Sequence, residues 1–387
     1  MTLMKMKSLL TNLGLGLLAA TAINFASAND PAVKLAKETK KPLVQIAILL
    51  DTSGSMEGLI EQAKSQLWRI VNEFAKAKQD GVTPEVQVAL YEYGKSSLSA
   101  QSGWIRQIQP LTTDLDKISE ELFALRTNGG DEYCGWVIKD AVNDLAWSAA
   151  SDAYKAIFIA GNEPFTQGPV SYAESCKTAI TKGIIVNTIH CGAEGEGINT
   201  KWKDGADLAD GKYLVIDQNR AVVSIAAPQD KEIAKLGVEL NKTYLAYGVD
   251  GKLGAGRQVS QDAAVASLAP ASGAVAQRAV AKASVNYRNS SWDLVDAVKE
   301  QKTDVAKLKP EELPAEMQTL NAEQRKAYVE TKSKERTAMQ AKIQELNKER
   351  EKYVAARLKE ISGTNTLDAV VISAVREQSA KRNFKFE

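Results

Sequence analysis

Leu43-Val44-Gln45-Ile46-Ala47-Ile48-Leu49-Leu50 runs directly into Asp51-Thr52-Ser53-Gly54-Ser55. The first part is almost wholly apolar, as a parallel strand covered on both faces is. One carboxylate and two hydroxyls then converge where that strand ends. Beyond them Leu59, Ile60, Ala63, Leu67, Ile70, Val71 and Phe74 recur at helical spacing, so an amphipathic helix follows. A buried strand, a polar loop and a helix in this order make a strand-end site in an α/β fold.

The same alternation continues outward. Glu85 to Tyr93 places Val86, Val88 and Leu90 on one side of a second strand, and Trp104 to Ile108 suits a short third. Ile118, Leu122 and Leu125 suit a short helix, before the loop Thr127-Asn128-Gly129-Gly130-Asp131 and a helix from Glu132 to Trp147. Ala156 to Ala160 is a buried strand, Tyr172 to Thr181 a helix, and Ile184 to Ile189 a further strand. Lys212 to Ile216 reads as the last strand, and Ile233, Leu236, Leu240 and Tyr244 as a closing helix. The pattern predicts the α/β class, with a doubly wound, mostly parallel sheet over residues 42–248. Ligands of such sheets sit beyond the carboxyl ends of the strands, where Asp51, Asn162 and His190 fall.

From Gly251 the composition changes. Residues 249–285 are rich in Ala, Gly, Val and Gln, with Pro270 among them, and read as a weakly packed linker. Residues 286–387 read as a helical region. Ser290-Ser291 precedes a short helix over Trp292 to Val298, and Asn321 with Gln324 is a capping-box start. From there to Ile361 no Pro or Gly occurs, so a long charged helix is expected. Its apolar stripe is thin (Tyr328, Met339, Ile343, Leu346, Tyr353, Val354, Leu358) and Arg350 interrupts it. That favours a solvated helix lying on the domain over a coiled-coil arm for self-association. Ser362-Gly363 stops it, and Leu367 to Gln378 is a final helix.

The N-terminus carries a targeting signal. Lys5 and Lys7 precede an apolar stretch from Leu9 to Phe25, and Ala26-Ser27-Ala28 is a small-x-small cleavage site. Residues 1–28 are expected to be removed, leaving 29–41 as a lead-in and no segment apolar enough to span a membrane. The expected location is the periplasm, or else the medium. Lys+Arg 49 against Asp+Glu 48 gives no basic field, which excludes nucleic acid as the evident partner. Export permits disulfides, and of Cys134, Cys176 and Cys191 the preferred pair is Cys176 with Cys191; the alternative is three buried thiols.

Oxygen ligands such as Asp51, Ser53 and Ser55 suit Mg²⁺ first, or Mn²⁺ or Ca²⁺, rather than zinc. The D-x-S-x-S loop on the first strand, with the β/α order that follows, resembles the von Willebrand factor A (vWA) domain family, whose fold is Rossmann-like. The C-terminal part resembles the helical extension of poorly characterised bacterial exported members. The resemblance implies a metal-ion-dependent adhesion site (MIDAS) that grips a protein partner, here one in the cell envelope. Asp51, Ser53 and Ser55 match the family's first metal loop. In the second, Asp131 stands after Gly129-Gly130 where the family has a liganding Thr, with Thr127 the alternative. In the third, Ala160-Gly161-Asn162 before Glu163-Pro164 lacks the usual aspartate, and Asn162 or Glu163 is expected to supply an oxygen.

One histidine, His190, and no catalytic motif argue against an enzyme. His190 is expected to be a satisfied structural residue. Tyr133 and Trp136, flanking the site, are core candidates first and binding-surface candidates second. A metal-dependent hydrolase using an ion at Asp51, with Asp131 or Glu163 as base, is the alternative function. A structural module with a vestigial site is the other.

Overall fold

A computed structural model describes residues 41–217, 225–268, 273–358 and 367–386. The expected signal peptide, most of the lead-in and the Ser362-Gly363 stop lie outside the described residues. Lys41 to Glu387 forms one compact unit.

The first half of the chain contains β1 (Leu43–Asp51), α1 (Glu57–Ala75), β2 (Ala77–Gln79), β3 (Glu85–Tyr93), β4 (Ile105–Thr112), α2 (Leu115–Ala124), α3 (Cys134–Asp144) and β5 (Tyr154–Gly161). There follow α4 (Tyr172–Thr181), β6 (Ile185–Cys191), α5 (Glu194–Asn199), α6 (Trp202–Asp207), β7 (Tyr213–Ile216) and α7 (Asp230–Asn241). The main sheet has six strands in the order β4-β3-β1-β5-β6-β7. All pairs are parallel except β3 with β4. β4 runs past Ile108 and through Pro110, which an edge strand tolerates because one side of its backbone needs no partner.

Side chains of β1 alternate between two apolar layers. Ile46 and Leu50 face α1 and α2, while Ala47 and Leu49 face α3 and α4. The strand order reverses at β1, which lies between β3 and β5. The crevice at the carboxyl ends of β1 and β5 is therefore the topological switch point, the place where such sheets bind ligands.

The stretch read as a linker is instead packed helix. α8 (Gly251–Ala266) and α9 (Ala274–Lys282) lie against α2 and α1 respectively. Their burial rests on ions that the Ala/Gly-rich composition hides. Arg278, 2 % exposed, donates to Asp116 of α2 at 2.7 Å and to Asp262 of α8, and lies 4.7 Å over the Trp68 ring of α1. The short helix α10 (Leu294–Lys299) is capped by Asp293, whose carboxylate accepts from the Asp296 N–H, rather than by Ser290 or Ser291.

The long helix α11 (Ala322–Leu358) starts with the expected reciprocal Asn321–Gln324 bonds, at 2.9 and 3.0 Å. Its thin stripe is used within the chain: Ile343, Met339 and Leu346 pack with Ile233 and Leu240 of α7 and with α9. Arg350 pairs with Asp230 of α7 at 2.5 Å. Helix α12 (Leu367–Ala380) and β8 (Phe384–Phe386) return to the first half, where α12 packs on α1 and β8 pairs antiparallel with β2. No helix among the described residues is long and apolar enough to cross a membrane.

The cysteines correct the preferred disulfide. All three are buried free thiols, and Cys176 and Cys191 sit in apolar layers on opposite faces of the sheet. Side chains separated by the sheet cannot be bridged without moving backbone. Burial also pushes each thiol up, Cys176 to about 12, so none is poised to react.

Candidate metal centre

Asp51 is the last residue of β1 and is fully buried. Its Oδ1 accepts the Ser53 N–H at 2.7 Å, which folds the loop back over the strand end. The Ser53 and Ser55 hydroxyls are 3.1 Å apart, and Ser55 also donates to Asn162 Oδ1 at 3.4 Å. Ser53 is buried and Ser55 exposed, so the group runs from the interior to the surface. Asn162 is half-buried and Glu163 exposed just beyond β5. These five residues of the sequence-based set come together at the switch point.

Asp131 turns away from Asp51 into solvent. Asp131 is exposed, with its carboxylate 3.5 Å from the Tyr133 hydroxyl, and Thr127 is half-buried at the far end of its loop. The neighbouring Glu132 is buried instead, with its side chain facing Asp51 across Gly94. The cause is the docking of the loop. Asn128 N–H donates to the Thr52 carbonyl at 3.0 Å, and Ser96 N–H donates to the Gly129 carbonyl. With Gly129 held against the chain after β3, the next turn sends Asp131 to solvent and Glu132 to the strand end. Glu92, fully buried at the end of β3, is a second acid the sequence did not single out; it accepts from Thr52 at 3.2 Å and pairs with Arg106 at 2.6 Å. An acid directly after Asp131 and just before a buried helix start was the one available signal for Glu132.

Burial raises the Asp51 carboxyl above the usual range, and burial together with the facing Asp51 raises Glu132 further. Without a cation the pair therefore resists full ionisation. Asp51 Oδ2 and Glu132 Oε2 are buried with no hydrogen-bond donor. Two orphan carboxylate oxygens beside two hydroxyls fit a hard divalent ion with few protein ligands and several waters. Among the described residues no three His, Cys, Asp or Glu side chains form a metal cage, so hydroxyls must complete this donor set.

Gly161 stands where the third-loop aspartate was expected. A Cβ there would lie 2.6 Å from the Tyr93 hydroxyl and 3.1 Å from Asp51 Oδ2. The Tyr93 ring fills the space, and its hydroxyl donates to the Ala160 carbonyl at 2.9 Å. Glu132 brings a carboxyl to the strand end, so the site is rearranged rather than stripped.

His190, paired in register with Gly161, is buried with neither ring nitrogen hydrogen-bonded; Glu196 lies 3.8 Å away. It is not the satisfied histidine expected. Tyr133 and Trp136 are half-buried and stacked, with centroids 6.3 Å apart, and Lys139 lies 4.9 Å over Trp136.

The sheet order, the loop at Asp51 and its neighbours agree with the comparison of the sequence with known families, where the von Willebrand factor type A domain matches residues 45–202. Residues 45–202 are a vWA domain. No curated protein matches the chain. Among solved structures, BatB from Bacteroides thetaiotaomicron is similar to it at 18 % identity, over 45 % of this chain and 90 % of that one, with a TM-score of 0.35. An aerotolerance-related membrane protein from Bacteroides fragilis is similar at 19 % identity, over 45 % and 92 %, with a TM-score of 0.32. Proximal thread matrix protein 1 from the mussel byssus, with zinc in its MIDAS motif, is similar at 14 % identity, over 45 % and 42 %, with a TM-score of 0.35. The family match thus covers less than half of the chain, and β7, α7 to α12 and β8 lie beyond the matched residues.

Proposed function

We propose that this protein is an exported, periplasmic binding protein whose vWA domain grips a partner in the cell envelope through Mg²⁺ at the Asp51 loop, without catalysing a reaction. vWA domains are generally protein-interaction modules. The observation that carries the reading is the buried Asp51 carboxylate, with one oxygen held by the loop and the other orphaned beside Ser53 and Ser55. Asp51, Ser53, Ser55 and Glu132 would hold the ion. A bound Mg²⁺ would supply an electrophilic position that a partner's carboxylate can take.

The chain's own residues do the rest. A cation favours full ionisation of Asp51 and Glu132, whose carboxyls burial raises, so binding releases protons and strengthens as pH rises. Exposed Ser55 and Glu163, with Asn162 between them and the interior, form the rim that a partner meets. The C-terminal helices, packed onto α1, α2 and α7, act as a scaffold and offer a second surface.

The test is a pull-down from envelope extract with the mature chain as bait, run in Mg²⁺, in chelator, and with Asp51→Ala. The expected result is a partner retained only by the unaltered chain in Mg²⁺. Retention in all lanes would move the function to the helices and leave the Asp51 loop a vestige. Calorimetric titration with Mg²⁺ or Mn²⁺ checks the ion separately, and no heat at millimolar ion would overturn the metal.

A further inference from the structure

At the amino ends of β1 and β3, opposite the Asp51 loop, a cavity of about 360 Å³ opens between the sheet and the segment that follows α9. Most charges on its wall are already committed. Asp114 pairs with Arg257 at 2.9 Å, and Glu300 pairs with Lys302 at 2.9 Å and Arg288 at 3.7 Å. Four groups are not. Lys41 Nζ is buried with no hydrogen-bond partner. Asn286, 7 % exposed, leaves both its Oδ1 and Nδ2 without one, and Asn289, 6 % exposed, leaves its Nδ2. Glu85 accepts only from the Gln87 amide, at 3.0 Å, and among the described residues no cation pairs with it.

Burying an ammonium without a counterion is expensive, and a carboxamide buried without partners is exceptional. Water can satisfy the amides but cannot neutralise Lys41. The unmet demand is for a carboxylate against Lys41 and the Asn289 donor, and for a cationic donor against Glu85 and Asn286 Oδ1. A simple anion or a hydroxy acid meets Lys41 alone, whereas an amino acid also sets its ammonium beside Glu85, which is half-buried and accepts from Gln87. The volume lies at the small end of the roughly 300–1,000 Å³ found for small-molecule sites. Trp292, 4 % exposed and stacked on Tyr244 at 5.7 Å, gives the cavity a fixed wall.

We propose that this cavity binds a free α-amino acid, recognised through both its charges. It lies at the other end of the sheet from the Asp51 loop and does not depend on that loop's metal.

The experiment is thermal unfolding of the full mature chain with each common L-amino acid, followed by calorimetry on the one giving the largest shift. At least one is expected to raise the midpoint, while its N-acetyl and carboxamide forms do not. Lys41→Met is expected to weaken binding by about tenfold or more, as loss of a charged hydrogen bond does, and to raise the midpoint of the ligand-free chain. Asn286→Leu is the second variant, expected to weaken binding while keeping Lys41. No shift with any amino acid would overturn the proposal, as would equal binding of either blocked form or unchanged affinity in both variants. A Lys41→Met chain less stable without ligand would show that Lys41 pairs with Glu85, and would overturn it too.

Discussion

β1, β3, β5 and β6 bury apolar side chains against other apolar side chains, whereas α8, α9 and α11 are anchored to the rest of the molecule by buried ions. In the sheet, Ile157 and Ile159 are fully buried among Leu49, Val137 and Ile138. In the helical region, Arg278 bridges Asp116 and Asp262, and Tyr287 donates to Asp116 at 2.5 Å. Arg336 of α11 repeats the device: it pairs with Asp293 at 2.7 Å and Asp296 at 2.8 Å, donates to the Thr243 carbonyl at 2.6 Å, and lies 4.0 Å over Tyr244. Apolar burial is non-directional and survives small changes of shape. A buried ion pair has one geometry, and each partner is costly without the other. The helices are therefore held in one docking by few contacts, and the sheet by many.

The sharpest way to break that contrast is Arg278→Ala. It strands the Asp116 carboxylate in the interior and is expected to cost ~3–5 kcal/mol in denaturant unfolding. Replacing Arg278 and Asp116 together by Met and Leu, with Asp262 kept as the partner of buried Lys282, is expected to restore part of the loss, because the desolvation cost of that pair goes with its charges. Were Arg278→Ala nearly silent, the helices would be held by their apolar contacts after all.

Gly161→Asp comes next. Its Cβ meets the Tyr93 hydroxyl, an overpacking expected to cost about 1–3 kcal/mol. Adding Tyr93→Phe removes the clashing oxygen and should recover part of this. The double variant also sets a third carboxyl beside Asp51 and Glu132. It should bind Mg²⁺ more tightly than the natural chain while being less stable in chelator. Equal Mg²⁺ affinity by calorimetry would count against a cation at Asp51. In the apolar half, Ile157→Val is expected to cost only ~0.5–1.5 kcal/mol, which the same unfolding curves would resolve.

The contrast also explains what the sequence discloses. Parallel strands write themselves as apolar runs, so the sheet from Leu43 to Ile216 was readable almost strand by strand, as was the placement of Asp51, Ser53, Ser55 and Asn162 at strand ends. Residues 251–282 carry few large apolar side chains, and their packing depends on Arg278 and Lys282 meeting acids distant in sequence. No local pattern marks such pairs, so the stretch read as a linker. The turn from Asp131 to Glu132 was hidden for the same reason, since it is set by hydrogen bonds from Asn128 and Ser96 to segments far along the chain. Of the short pairing of β2 with β8, three residues each, neither strand has a length or period that a sequence pattern could separate from a turn.

The smallest expected effect concerns His190, a buried titratable side chain at the end of β6. Burial lowers its affinity for a proton, and Glu196, exposed and 3.8 Å away, offsets this only in part. Trp202 and Tyr213 pack around it from α6 and β7 and bring no further carboxylate. Its folded pKa is therefore below the value of about 6.5 that it has in the unfolded chain. The unfolded state takes up a proton first as pH falls, so the stability that neutral His190 contributes is full above that value and is lost below it. His190→Gln abolishes the titration. Unfolding curves of the two chains should run parallel above neutrality and diverge below about 6.5, with the natural chain the less stable at acid pH relative to the variant. Glu196→Gln should widen the gap by removing the one nearby charge that favours the imidazolium. A constant difference across the range would mean that the ring stays neutral in both states or finds a partner on protonation, and the contrast between apolar and ionic halves would then hold at the end of β6 as well.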